Sequence, residues 1–284
     1  MVDLKDYKSL YENKWCPGCG NFGILAALKD ALVKMDIPPQ NLLVISGIGQ
    51  AGKTPHFLNC NMFHGLHGRA LPVATGAKIA NHGLTVVVNS GDGDCYGEGG
   101  NHFLHAIRRN VDITLLVHDN RIYGLTKGQA SPTSDLGTVT KIQPHGVISH
   151  PFNPLAVALS LGAGFVARAF SGKIDHLSQL IQEGIKFKGF SLIDILQPCV
   201  PFNFVNTHDW YNQRVYDLNQ AGSVPDDIDE AMKYATQWGE KIPIGIIYKK
   251  EKPTFTDRID VLRQGPLNSR VYDSKRLKTL LSKL

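Results

Sequence analysis

Apolar positions recur along the chain in two alternating modes. Residues 21–35 place Leu25, Leu28, Leu32 and Met35 on one stripe of a 3.6-residue period and predict an amphipathic helix. Short apolar runs follow at 42–46 (LLVIS), 84–89 (LTVVVN), 113–118 (ITLLVH), near 164–168 and at 190–196 (FSLIDIL). They are strand-sized and rich in β-branched residues. Between them helical spacing returns over 70–81, 98–109, 153–161 and 174–187. Short apolar strands separated by helices predict a doubly wound, mostly parallel α/β sheet with helices on both faces. The stretch 121–152 is rich in Gly, Pro, Ser and Thr and reads as a long loop, a kind of segment that is usually functional inside a compact domain. Beyond about 200 the pattern fades to one helix near 226–239 and one strand near 243–248. The chain thus divides into a main domain over 1–204 and a C-terminal extension over 205–284, a tail that wraps the domain or contacts another subunit.

Composition narrows the class. With 43% hydrophobic and 19% charged residues, the 284-residue chain is ordinary for a globular protein. No apolar run approaches the roughly 18 residues needed to span a bilayer, so no membrane segment is expected. The polar start, Met-Val-Asp-Leu-Lys-Asp, lacks the apolar core of a signal peptide, and a cytoplasmic location is expected. Thiols stay reduced there, so the five cysteines are not expected to form disulfides; the Cys16-x-x-Cys19 pair points to metal or redox chemistry. Thirty basic against 25 acidic residues give a net charge of +5 without a long basic run. Nucleic-acid binding has no support in that pattern, which suits the steering of an acidic partner or an anionic cofactor.

In such folds chemistry gathers where strands end. The segment Gly47–Thr54 (GIGQAGKT) satisfies both the dinucleotide fingerprint and the phosphate-loop pattern. Both require a helix directly after the loop. Here Pro55 follows Thr54, and the next residues have no apolar helical face. Where the dinucleotide pattern wants an acidic residue stand His64, His67 and Arg69. A phosphate-loop nucleotide hydrolase is the alternative reading of this segment. A stronger signal begins at Gly91-Asp92-Gly93-Asp94 and closes at Asp119-Asn120. Mg2+ needs oxygen ligands, often shared with a phosphate; Asp92 offers a carboxylate and Asn120 a side-chain carbonyl, each at a strand end. Flanking glycines let a diphosphate approach the backbone. The residues between Gly93 and Asn120 suffice for one helix and one strand that bring the two groups together.

This spacing resembles the thiamine-diphosphate motif, and the likeness implies that Asp92, Asn120 and the main-chain carbonyl of Ile122 hold Mg2+. Longer motifs extend it: WCPGCG, SGIG, HGLHGR, ALPVATGAKIAN, GDGD-x-Y-G-x-GGNH, RRN-x-D and YGLTKGQ-x-SPTS. Together, over about 15–205, they resemble the beta subunit of 2-oxoacid:ferredoxin oxidoreductases. That resemblance implies thiamine diphosphate, Mg2+ and a 4Fe–4S cluster as cofactors, with coenzyme A as co-substrate. It implies a cofactor lining of Ile48, Gly49, Gln50, Ala51, His67, Gly91, Gly93, Asp94, Gly124 and Leu125. An alpha subunit would supply the carboxylate that activates the aminopyrimidine and take part in coenzyme A binding. This chain would then hold only the diphosphate half, be inactive alone and work in a hetero-oligomer.

The implied reaction is oxidative decarboxylation of a 2-oxo acid to acyl-CoA and CO2 with electrons passed to ferredoxin, reversible as reductive carboxylation. His67 is the candidate for hydrogen bonding to the diphosphate or stabilising the intermediate. Lys127, in the YGLTKGQ loop, is the candidate for pairing with the distal carboxylate of a dicarboxylic substrate, which favours 2-oxoglutarate. Cys16, Cys19 and Cys199 match three of the four cluster ligands; the fourth position, in the GIG-x loop, is Gln50. Cys60 is the expected replacement. A cluster with three protein thiolates and another ligand, no cluster at all, and a zinc site on the same cysteines are the other readings. Cys95, beside the magnesium turn, reads as a small buried hydrophobe. A thiamine-dependent decarboxylase without electron transfer is the nearest rival in function.

Overall fold

A computed structural model describes residues 1–283 apart from 221, 223 and 272, positions that together with 284 fall in the expected C-terminal extension. In chain order its elements are α1 (Asn21–Lys34), β1 (Leu42–Ser46), β2 (Asn61–His64), α2 (Ala70–Ala80), β3 (Thr85–Gly91), α3 (Gly100–Arg109) and β4 (Ile113–Asp119). A small hairpin of β5 (Ile122–Tyr123) and β6 (Gln129–Ala130) precedes α4 (Pro154–Ser160), β7 (Phe165–Phe170), α5 (Ile174–Lys186) and β8 (Phe190–Leu196). There follow α6 (His208–Asn212), β9 (Val215–Asp217), α7 (Ile228–Thr236), β10 (Ile242–Lys249), α8 (Asp260–Arg263) and α9 (Ser274–Leu281). No helix among the described residues is long and apolar enough to cross a membrane.

Eight strands form one sheet in the order β2-β1-β3-β4-β8-β7-β10-β9, parallel from β2 through β7. Successive side chains of a strand point to opposite faces, and the core divides accordingly. Val86, Val88, Leu115 and Val117 pack with Leu71 and Ala74 of α2 and Phe103 and Ile107 of α3. Val87, Leu116, Ile193 and Ile195 pack on the other face with Ile24 and Leu28 of α1 and Leu177 and Ile181 of α5. Helices therefore cover both faces, as the sequence pattern predicts. Chain leaving β1 turns outward to β2, whereas chain leaving β3 turns the other way to β4. This divergence opens a crevice at the carboxyl ends of β1 and β3, the place where such sheets bind ligands.

Three expectations need correction. The glycine loop after β1 does lead into a helical segment, but it is a 3₁₀ run over Ala51–Phe57 that contains Pro55. Behind it lies the unexpected edge strand β2, whose exposed residues Asn61–His64 carry no apolar alternation to betray it. Position 204 is also no boundary. β10 pairs antiparallel with β7 and parallel with β9. Ile242 and Ile244 are buried with Phe170, Leu196 and Tyr211, and Ala231 and Ala235 of α7 join the main core. β10 lies where a strand is predicted near 243–248, but Pro243 and Gly245 within it hide that it pairs on both sides. Farther on, Asn110, left-handed at φ 53° after α3, donates from Nδ2 to the main-chain oxygens of Lys252 and Pro253 (3.3 and 3.1 Å), tying residues 252–253 to the core.

Candidate active site

The crevice between β1, β3 and β4 holds a cavity of about 110 Å³. Ile48, Gly49, Gln50 and Ala51 border it from the loop after β1, and His67 from the loop after β2. Gly91, Asp92, Gly93 and Asp94 border it from the turn after β3, and Asn120, Ile122, Gly124 and Leu125 from the segment after β4. Residues from four loops distant in sequence thus meet in one place. Lys53 and Thr54, which the phosphate-loop reading needs, are absent from this lining. Thr54 Oγ1 instead donates to the Ala51 main-chain oxygen at 2.8 Å.

Asp92 is buried where β3 runs into a π-helical turn over Gly93–Glu98, an irregularity often found at functional sites. Ser131 and Thr133 hydroxyls donate to its Oδ2 at 2.5 and 2.6 Å. The same Thr133 oxygen lies 2.8 Å from Asp119 Oδ1. One hydroxyl has one proton, so two buried carboxylates share it. Burial, and then the charge of Asp119, push the Asp92 carboxyl up to about 7. Arg121 lies close to Asp119 and lowers the cost of its charge. Asp92 makes no ion pair among the described residues. A buried carboxylate in that position calls for a cation, and a hard divalent ion shared with a phosphate meets the need.

Asn120, the second oxygen donor, is held rigidly. Its Oδ1 accepts from the Ile122 amide at 3.0 Å, its Nδ2 donates to Gln197 Oε1 at 3.1 Å, and its main-chain oxygen accepts from Asn203 Nδ2 at 3.1 Å. The amide oxygen keeps a second lone pair for a metal. Gln197 and Asn203 were invisible in the sequence because they follow β8, the strand next to β4 in space but not in order.

Asp94 acts mainly on the loops. Its Oδ1 accepts from Ile48 N at 3.0 Å and Gly68 N at 2.7 Å, while Ser90 Oγ donates to Oδ2. One carboxylate thereby draws three loops together. Gly47 is obligatory there, since a Cβ would meet Asp94 Oδ2 at 2.0 Å. Gly93 is crowded likewise: the Tyr123 ring stands 2.3 Å from where its Cβ would be. Gly49, at φ 109°, has open space before it, which leaves its backbone accessible from the cavity.

His67 Nε2 lies 3.3 Å from Glu98 Oε2 and 3.7 Å from Asp94 Oδ1. Glu98 also accepts from the Tyr123 hydroxyl at 3.1 Å. Glu98 carries no signal in the sequence because only the π-helical turn swings it beside His67. His64 faces away from the cavity: Nδ1 is 2.9 Å from both Ser46 Oγ and the Gly52 main-chain oxygen, bracing the loop from behind. Lys127 stays outside the cavity lining, exposed on the β5–β6 turn at φ 83°. A larger cavity of about 190 Å³ lies behind Asp119, between Arg121, Arg168 and Trp238. It shares only Asp119 with the magnesium and diphosphate constellation.

Cys16, Cys19 and Cys199 border a second, smaller cavity that shares Gln50, Asn120 and Gly124 with the first. Cys60 is not brought there. It directly precedes β2, whose first residue pairs with Leu43 near the start of β1, whereas the site lies beyond Ser46 at the opposite end. Three residues of strand separate the two levels by about 10 Å. Cys60 packs in the core around Tyr7, where burial pushes its thiol up to about 12. It is therefore removed from the expected ligand set. Cys95 is buried in the core with Tyr96 and Phe103.

Comparison with known proteins places these features in context. Residues 46–195 match the family model described as the thiamine pyrophosphate enzyme C-terminal TPP binding domain. Residues 199–264 match the model for the C-terminal part of the pyruvate ferredoxin oxidoreductase beta chain. A 2-oxoacid:ferredoxin oxidoreductase subunit beta from Sulfolobus sp is 47% identical over 260 residues, 87% of this chain and 85% of the relative. The 2-oxoglutarate synthase subunit KorB of Archaeoglobus fulgidus is 35% identical over 249 residues, 88% of this chain and 89% of the relative. The 2-oxoglutarate:ferredoxin oxidoreductase of Magnetococcus marinus, solved with 2-oxoglutarate, coenzyme A and succinyl-CoA bound, superposes with a TM-score of 0.92 at 39% identity. That match covers 100% of this chain and 97% of the solved one.

Proposed function

The chain belongs to the family of 2-oxoacid:ferredoxin oxidoreductase beta subunits, and on that premise we propose that it forms the diphosphate half of an active site that oxidatively decarboxylates 2-oxoglutarate. The products are the acyl-CoA and CO2, with electrons passed through an iron–sulfur cluster to ferredoxin; reductive carboxylation is the reverse. The site is completed by an alpha subunit, which brings the pyrimidine half and the coenzyme A pocket, and the complex works in the cytoplasm. The observation that carries this reading is the meeting of Asp92, a buried carboxylate lacking a cation partner, with the Asn120 amide beside loops of accessible backbone.

Asp92, Asn120 and the Ile122 carbonyl would hold Mg2+. Bound there, thiamine diphosphate supplies the carbanion and the electron sink that decarboxylation of a 2-oxo acid requires. The chain's own residues hold and shape the site. Backbone groups at Gly49 and around Gly93 offer close approach to phosphate oxygens. Asp94 keeps those loops in register, and Ser131 and Thr133 orient the Asp92 carboxylate. His67, with Glu98 beside it, is placed to hold a proton at Nε2 facing the cavity.

The proposal predicts that the alpha–beta complex co-purifies with thiamine diphosphate and Mg2+ and reduces ferredoxin only with both 2-oxoglutarate and coenzyme A. Neither subunit alone should turn over. Turnover without electron transfer would instead favour a simple decarboxylase. Substrate choice is assigned to Lys127, at the rim beside Thr126, which borders the cavity. Lys127→Ala should lower kcat/KM for 2-oxoglutarate relative to pyruvate by about 10- to 100-fold, the worth of one hydrogen bond to a charged group. An unchanged preference would remove Lys127 from the account.

A further inference from the structure

We propose that this chain holds its iron–sulfur cluster through three thiolates, those of Cys16, Cys19 and Cys199, with the Gln50 side chain in place of a thiolate at the fourth iron. The inference rests on the reading above and deepens it at one corner of the same site.

The three cysteines and Gln50 border a single cavity. Cys16 and Cys19 lie on a turn closed by Cys19 N donating to the Cys16 main-chain oxygen at 3.0 Å. Gly20 N donates to the Pro198 main-chain oxygen at 3.2 Å, fastening that turn to the segment carrying Cys199. Trp15 Nε1 donates to the Gln50 main-chain oxygen at 2.9 Å, which sets the loop after β1 against the same turn. No fourth cysteine is within reach, because Cys60 lies toward the opposite end of the sheet and Cys95 in the core around Phe103.

A cluster and a single ion ask different things of their thiolates. Zinc–sulfur bonds of about 2.3 Å draw their thiolates into one tight tetrahedron. A four-iron core carries its cysteines on separate irons. At the remaining iron the neutral amide oxygen of Gln50 is a weaker donor than a charged, soft thiolate. That iron is the labile one. Loss of one electron to an outer-sphere oxidant such as ferricyanide, and of one ferrous ion to solvent, leaves a three-iron core with all four sulfides retained.

The test uses the alpha–beta complex purified without oxygen. Iron, sulfide, zinc and thiamine are counted per beta chain, and electron paramagnetic resonance spectra are taken before and after ferricyanide. The wild type should release roughly one iron in four and develop the signal of an oxidised three-iron cluster, reversed by ferrous iron and a thiol reductant. Gln50→Cys should abolish both changes, and Cys60→Ser should alter neither. The proposal is overturned if the wild type keeps all its iron without a three-iron signal, if Cys60→Ser destroys the cluster, or if zinc or no metal is found. Thiamine counted in the same sample reports the diphosphate site separately, so loss of the cluster proposal alone would leave that reading standing.

Discussion

Replacing Asp92 with Asn should abolish turnover and weaken Mg2+–thiamine diphosphate binding at least about 100-fold, while the chain itself folds normally. Removing a charged ligand forfeits roughly 3 kcal/mol at the metal, and an amide cannot offset the diphosphate charge. The same substitution relieves the cofactor-free chain, because burial and Asp119 already make ionisation of Asp92 costly, holding its carboxyl at about 7. Ser131 and Thr133 keep a polar partner of the same shape. Thermal melts with and without Mg2+ and thiamine diphosphate separate the two effects. The wild type should gain stability from the cofactor, and Asp92→Asn should gain none while melting no lower than the cofactor-free wild type. A variant that still binds the cofactor tightly would remove Asp92 from the metal.

Gly47→Ala should be nearly as damaging for a different reason. Its Cβ would stand 2.0 Å from Asp94 Oδ2, in the middle of the bonds to Ile48, Gly68 and Ser90. Overpacking of this kind costs about 1–3 kcal/mol, and each bond lost to a buried carboxylate adds about 1.5–3. A drop in Tm of about 5–10 °C together with loss of cofactor binding is expected. Because one contact is responsible, the effects should not add: Gly47→Ala with Asp94→Ala should be no less stable than Asp94→Ala alone. Full additivity in melting experiments would show that the glycine matters for something other than its distance from Asp94.

Most of the sheet was legible because its strands are buried on both faces and so read as unbroken apolar runs. β1 falls where LLVIS predicts it, and α1, α2 and α5 follow their apolar stripes. The failures share a cause. β2 is a polar edge strand and β9 has three residues; each is specified by partners rather than by its own pattern, whereas β10 falls where a strand is predicted near 243–248 and only its place inside the sheet was hidden. The expected tail is therefore part of the sheet. The long loop after β4 likewise conceals the β5–β6 hairpin, whose strands of two residues each leave no periodicity.

The amino-acid order alone determined the local facts: which segments coil, which extend, and which oxygen and sulfur donors stand where strands end. Asp92 and Asn120 belong here, since one helix and one strand between adjacent parallel strands fix their meeting almost completely. Only the tertiary structure decided what depends on the lateral order of strands. β8 lies beside β4, so Gln197 and Asn203 hold Asn120 and Cys199 reaches Cys16 and Cys19. β2 runs parallel to β1, so Cys60, ten residues from Gln50 along the chain, is carried to the far end of the sheet. Spacing along a chain bounds the distance between two residues but carries no direction, and direction comes from the neighbour against which each strand forms its hydrogen bonds.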